Sequence, residues 1–230
     1  MISARICPLL GAALVFAAAI SAQDLESALG RMDRLSKGFR GLTADLHKTA
    51  YTAVIKQSDE SFGRLTVFRA QPKDLRMLVE IDKPDPTAVA YGDNKVQIYY
   101  PKIAEVQEYD LSGKQNHLIE EFLLLGFGTS TSDLRKKYSI TFKQEATVQG
   151  LKADLLELVP KSAEARADFP SIEMWVAQGG GYPVRLKLHQ PSKDYQQAEY
   201  TNVRVNPPNI TEAAVRLKLP KGVKKVRPQK

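Results

Sequence analysis

The stretch from Gly63 to Tyr109 limits what this chain can fold into more than any other part of it. Leu65 and Val67 alternate with Arg64 and Thr66, and Leu75, Met77, Val79 and Ile81 alternate with Arg76, Glu80 and Asp82. A period of two marks a strand with one apolar face, because successive side chains leave a pleated backbone on opposite sides. Pro84-Asp85-Pro86 and Gly92-Asp93-Asn94 punctuate the run with residues suited to tight turns. Short turns make neighbouring strands antiparallel, so the unit is a meander. Its apolar face has to be covered by a second layer, by curling of the sheet on itself, or by a ligand.

The flanking segments supply candidates for that cover. Leu25, Ala28, Leu29, Met32, Leu35 and Phe39 recur at steps of three and four, which predicts an amphipathic helix with Asp24 near its start and Gly38 near its end. From Leu42 to Ile55, with Leu42, Ala44 and Leu46 on one side, the pattern predicts a strand. Beyond the meander, Gln115 to Phe127 reads as a short helix with Glu120 and Glu121 on its polar arc and Gly126 and Gly128 at its end. Four successive large apolar residues, Phe122 to Leu125, suit either core packing or a lid resting on an apolar cavity. Ser130 can cap a further short helix over Asp133 to Tyr138. Strand patterns then resume over Tyr138 to Phe142, Lys152 to Val159, Ile172 to Ala177, Val184 to His189, Tyr195 to Val205 and Val215 to Leu219. The fold class is α+β, a single large antiparallel sheet with a few short helices, and a sheet of so many strands tends to curl.

The amino terminus has a different character. Arg5 precedes an almost wholly apolar run from Ile6 to Ile20, and the small residues Ser21 and Ala22 follow. Residues 1–22 are therefore predicted to be a signal peptide and residues 23–230 the mature domain. An uncleaved anchor is the alternative, although the run is short for a spanning helix. Cys7 is the only cysteine. A mature chain without it forms no disulfide and offers no thiolate. The expected address is the periplasm, where a core of this size is stable unaided.

The formal charge is +7, and loss of Arg5 with the signal leaves +6. Lys221, Lys224, Lys225, Arg227 and Lys230 place part of the excess in a basic tail, read as a solvated terminus or a membrane-surface contact. Export argues against nucleic acid as a partner.

Catalytic chemistry is poorly provided for. His47, His117 and His189 stand far apart with no metal-ligand neighbours at useful spacing, so no metal site is expected. No Gly-x-Ser-x-Gly elbow, phosphate loop or dinucleotide glycine pattern occurs, and Gly179-Gly180-Gly181 reads as a hairpin connection. The expectation is a protein that is not an enzyme and carries no cofactor. The apolar positions are more telling: Leu65, Val67, Met77, Val79, Val96, Ile98, Tyr100, Trp175, Leu186 and Leu188 are the candidates for one concave face. A packed core and a hollow pocket both satisfy this alternation.

Several short motifs occur in a telling order. Gly63, Leu65, Val67 and Arg69 are followed by Leu75-Arg76-Met77, then Gly92-Asp93-Asn94-Lys95, then Tyr100-Pro101, and the chain closes with Leu217-Lys218-Leu219-Pro220-Lys221-Gly222-Val223. This succession resembles the LolA family of periplasmic carriers of outer-membrane lipoproteins, over essentially the whole mature chain. Two departures stand out: Ala70-Gln71 separates Arg69 from Pro72, and Asn94 stands where the family has Gly. The resemblance implies an incompletely closed β-barrel with short helices as a lid, built from Met32, Leu35, Phe122, Leu123 and Leu125, over a cavity for acyl chains. It implies for Arg69 the gating of that lid through hydrogen bonds to lid backbone groups. It also implies a monomer that takes lipoprotein acyl chains or another lipid from an inner-membrane exporter to an outer-membrane receptor. The alternative on the same fold is a lipid-sensing or scaffold module that binds a protein partner.

Overall fold

The computed structural model describes residues 12–71, 74–111 and 125–228, with side chains from Gln23 onward. The period-two segments form strands of one sheet. In chain order they are β1 (Gly41–Thr52), β2 (Gln57–Gln71), β3 (Asp74–Lys83), β4 (Thr87–Gly92), β5 (Lys95–Tyr100) and β6 (Glu105–Asp110), then β7 (Tyr138–Val148), β8 (Leu151–Pro160), β9 (Ser171–Ala177), β10 (Pro183–His189), β11 (Tyr195–Val205) and β12 (Lys224–Val226). Two antiparallel meanders, β1 to β6 and β7 to β11, are joined side by side where β1 pairs with β11. The sheet ends at β12 and β7, which do not pair, so the barrel is incompletely closed. The turn between β4 and β5 holds Asp93 and Asn94 at φ of +52° and +55°, the left-handed pair that a two-residue hairpin favours.

The sheet's inner face carries the main core. On β9, Ile172, Met174 and Val176 point inward and meet Leu42, Leu65, Val67, Met77, Leu156, Leu158 and Leu186 from other strands. Helix α1 (Ala12–Gly38) presses Ala28, Leu29 and Met32 into this face. Arg31 of α1 pairs with Asp154 on β8, a carboxylate only 2% exposed, and Gln178 donates to the same group at 2.8 Å. A buried carboxylate is tolerated there because both oxygens are satisfied. Among the described residues no helix is long and apolar enough to cross a membrane.

Several sequence expectations are corrected. Residues 112–124, which include most of the helix expected from Gln115 to Phe127, lie outside the described residues. Leu125 and Phe127 at its end are buried, and Ser130 accepts the Asp133 amide to start α2 (Thr131–Lys137) as expected. Helix α3 (Ala163–Asp168), capped by Ser162, was not anticipated. Strand β2 begins at Gln57 despite the polar run Ser58-Asp59-Glu60, because pairing with β1 uses the backbone and needs no apolar face. The strand expected from Val215 to Leu219 is absent: a 3₁₀ turn, Glu212–Val215, and the chain after it lay Val215 and Leu217 over Leu78 and Ala90 on the outer face. The basic tail is not merely solvated. Its Lys224–Val226 pairs in parallel with β6, and Lys224 and Arg227 reach Glu105 and Glu108.

Gly63 marks a bulge where β2 crosses β3 closely. A Cβ there would lie 1.9 Å from the carbonyl oxygen of Glu80. Gly63→Ala is therefore expected to cost about 1–3 kcal/mol, seen as a lower urea midpoint with an unchanged slope.

Candidate functional site

Burial along the inner face falls steadily in one direction. On β1 it runs from Leu42 and Ala44, through Leu46, to exposed Lys48. The other strands follow: Met77 is buried and Ile81 half-buried, Leu186 buried and Leu188 half-buried, Tyr200 buried and Gln196 exposed. α1 covers one end of the trough and leaves the other open.

The uncovered end is a cavity of about 430 Å³. Leu46, Leu65, Met77, Val79, Ile81 and Val89 form one wall, and Leu186, Leu188, Ala198 and Tyr200 the facing wall. Phe169, just after α3, adds a further apolar surface, and Lys48, Asp168, Gln196 and Gln197 provide the polar groups. Volume and lining match a small-ligand site, mostly apolar with a few polar groups at defined places. Burial pushes the Tyr200 phenol well above its usual range, so it stays neutral.

The sequence candidates divide by position. Leu65, Met77, Val79, Leu186 and Leu188 line the cavity. Val67, Val96 and Ile98 share the inner face but belong to its packed core. Tyr100 is half-buried at the end of β5 and does not line the cavity. Trp175 lies on the outer face, in a second cluster with Leu155 and Val184, with the Arg185 guanidinium 5.1 Å from its ring centre. Four consecutive apolar residues, Met174 to Ala177, concealed which parity faces inward. Of the expected lid, Phe122 and Leu123 lie outside the described residues. Met32 and Leu125 are buried core and Leu35 packs against it, and none of the three lines the cavity. The wall residues not anticipated are Leu46, Ile81, Val89, Phe169, Ala198 and Tyr200. Ile81 carries the same meander alternation that identified Val79, whereas Val89 stands between two alanines and Phe169 comes from a loop, so no period marks either.

His47 and His189 are outer-face residues. His47 stacks on Phe62 at 4.5 Å, and His189 contacts Glu173 at 2.9 Å. His117 lies outside the described residues.

Arg69 follows Leu65 and Val67 in the inward phase of β2 and reaches two elements at once. Its guanidinium donates to the Ser36 carbonyl at 2.8 Å and to the Gly128 carbonyl, and it stands 5.3 Å from the centre of the Phe39 ring. Ser36 Oγ also donates to the Gly128 oxygen, at 2.8 Å. Burial lowers the pKa of Arg69, but a guanidinium remains charged in any accessible pH range. Asp33 completes the junction by accepting from the Thr131 amide at 2.8 Å and from its hydroxyl. The last turns of α1 and the segment before α2 are thereby held together. Between them Phe127 sits edge-on to Tyr200, ring centres 5.1 Å apart, so the held segment backs the inner wall of the cavity.

No protein-family model matches the chain, and no curated protein matches it in sequence. Solved structures do match. An uncharacterized conserved protein of Thermus thermophilus superposes with a TM-score of 0.56 at 14% identity, covering 90% of this chain and 100% of the other. MucB gives 0.51 at 14% identity over 85% of this chain, which spans 63% of MucB. A domain from Vibrio parahaemolyticus described as an outer membrane lipoprotein-sorting protein gives 0.46 at 14% identity, covering 85% of this chain and 97% of that one. At such identities the likeness is one of fold, and the architecture is the open barrel that the sequence resemblance implied. The fold is that of MucB and of the Thermus protein. Within this fold Gly128 carries a specific constraint: its φ is +66°, and a Cβ would lie 2.6 Å from the Arg69 guanidinium and 2.5 Å from the Phe39 ring. Gly128→Ala is expected to cost about 1–3 kcal/mol and to speed amide exchange around Phe39, measured by thermal melts and hydrogen exchange.

Proposed function

We propose that the protein is a periplasmic carrier or chaperone that shelters acyl chains, of lipoproteins or of other lipids, and delivers them toward the outer membrane. One observation carries the reading: an apolar recess open at one end, whose closed end is held at a junction centred on Arg69. A role in binding rather than catalysis suits walls made of Leu, Val, Ile and Met side chains. The protein would act as a monomer, loaded and unloaded by membrane partners on either side of the periplasm.

Magnitudes explain why such a carrier needs a latch. Burying a chain of about fifteen methylenes at roughly 0.8 kcal/mol each contributes on the order of 12 kcal/mol, too much for ready release. The cavity as it stands is small, and a longer chain would have to displace Phe127 from Tyr200 and loosen α1. The Arg69 hydrogen bonds favour the closed, empty state and so oppose retention of cargo. A ligand moves this equilibrium only by its differential affinity for the open state, so a latch of a few kcal/mol tunes release.

Removing the latch should act on release more than on capture. For Arg69→Leu, release of a fluorescent fatty-acid probe is expected to slow about tenfold, the factor corresponding to about 1.4 kcal/mol, with little change in the initial binding rate. Equal release rates for the two proteins would remove Arg69 from the mechanism. Pull-down of the tagged protein from periplasm addresses the other reading of the fold: a carrier returns acylated cargo, and a sensor or scaffold returns one stable protein partner.

A further inference from the structure

The rim of the cavity bears a cation that no described residue neutralises. Lys48 is the only basic residue among the described residues lining the cavity, and it follows Leu46 in the inward phase of β1. It makes no hydrogen bond or ion pair with any described residue. On the adjacent strand Gln196 is exposed and lines the same rim, paired with Ala50 while Lys48 is paired with Ala198. Lys48 and Gln196 are thus diagonal neighbours on one face, a spacing that long side chains bridge. Asp168 stands elsewhere on the rim, also without a partner among the described residues, and is not paired with Lys48.

Resting on the reading of the recess as an acyl-chain site, we propose that its ligand is an amphiphile with an anionic group, a carboxylate or a phosphate, held at the rim by Lys48 and Gln196. The chain then lies inward along Leu46, Leu65, Val79 and Leu188, and the charged end stays at the mouth. The ammonium supplies the charge and the amide a directional N–H, while Asp168 repels an anion placed on its side of the rim. The arrangement fixes which end of the amphiphile enters. It also discriminates against chains attached to an uncharged head, the acylated end of a lipoprotein included, and so favours the other lipids of that reading.

The test is titration calorimetry of the purified protein with three single-chain probes below their micellar concentrations: palmitate, palmitoyl lysophosphatidylglycerol and monopalmitoylglycerol. The two anions are expected to bind about fivefold more tightly than the neutral probe at low salt, with the preference shrinking in high salt. Lys48→Gln should erase the preference, and Asp168→Asn should enlarge it. The anion that loses more on Lys48→Gln identifies carboxylate or phosphate as the group recognised. Equal affinities for charged and neutral probes, with Leu188→Trp blocking all three, would overturn the assignment of Lys48 while leaving the cavity reading intact. Failure of every probe to bind would overturn both.

Discussion

A curved sheet with one apolar face sets a problem of area, and the rest of this structure follows from how that problem is met. The inner face spans strands of both meanders, whereas a helix presents only a narrow apolar stripe. α1 can bury Ala28, Leu29 and Met32 against one end of the trough, fixed there by the pair between Arg31 and Asp154. Beyond its reach Leu46, Val79, Ile81 and Leu188 line a recess instead of meeting the helix. The hollow is a consequence of one layer being broader than the other.

The outer face solves the same problem differently. The carboxyl-terminal segment lies across β3 and β4, where Val215 covers Leu78 and Ala90, and Glu212 fastens it to Arg76 at 2.7 Å. Hydrogen bonding to Asp74 raises the Arg76 pKa and the Arg216 hydrogen bond lowers that of Glu212, so both groups are charged at neutral pH. Farther along, Arg185 pairs with Glu199 at 2.7 Å beside Trp175. On this side the cover is a single strap of chain laid on a small apolar cluster.

The closed end of the recess is tied together at the junction around Arg69. One guanidinium holds the Ser36 and Gly128 carbonyls, and through Gly128 the adjacent Phe127 is kept against Tyr200. The cavity wall and this junction are therefore joined by a short path of named contacts. Backbone carbonyls have no rotamers to lose, so holding them costs little entropy on their side.

The sequence by itself determined the strands of the meander, their antiparallel order, the inward parity of Leu65, Val67, Arg69, Met77 and Val79, and the helical stripe of α1. All of these are local, read from periods of two or of about three and a half residues. Only the tertiary structure decided that β1 pairs with β11, that Trp175 faces outward, that Val67 is packed while Val79 borders a hollow, and that Lys48 stands at its mouth. Periodicity states which side of a strand a residue occupies. Whether that side is filled depends on where a separate element ends, a relation between distant parts of the chain that no local pattern encodes.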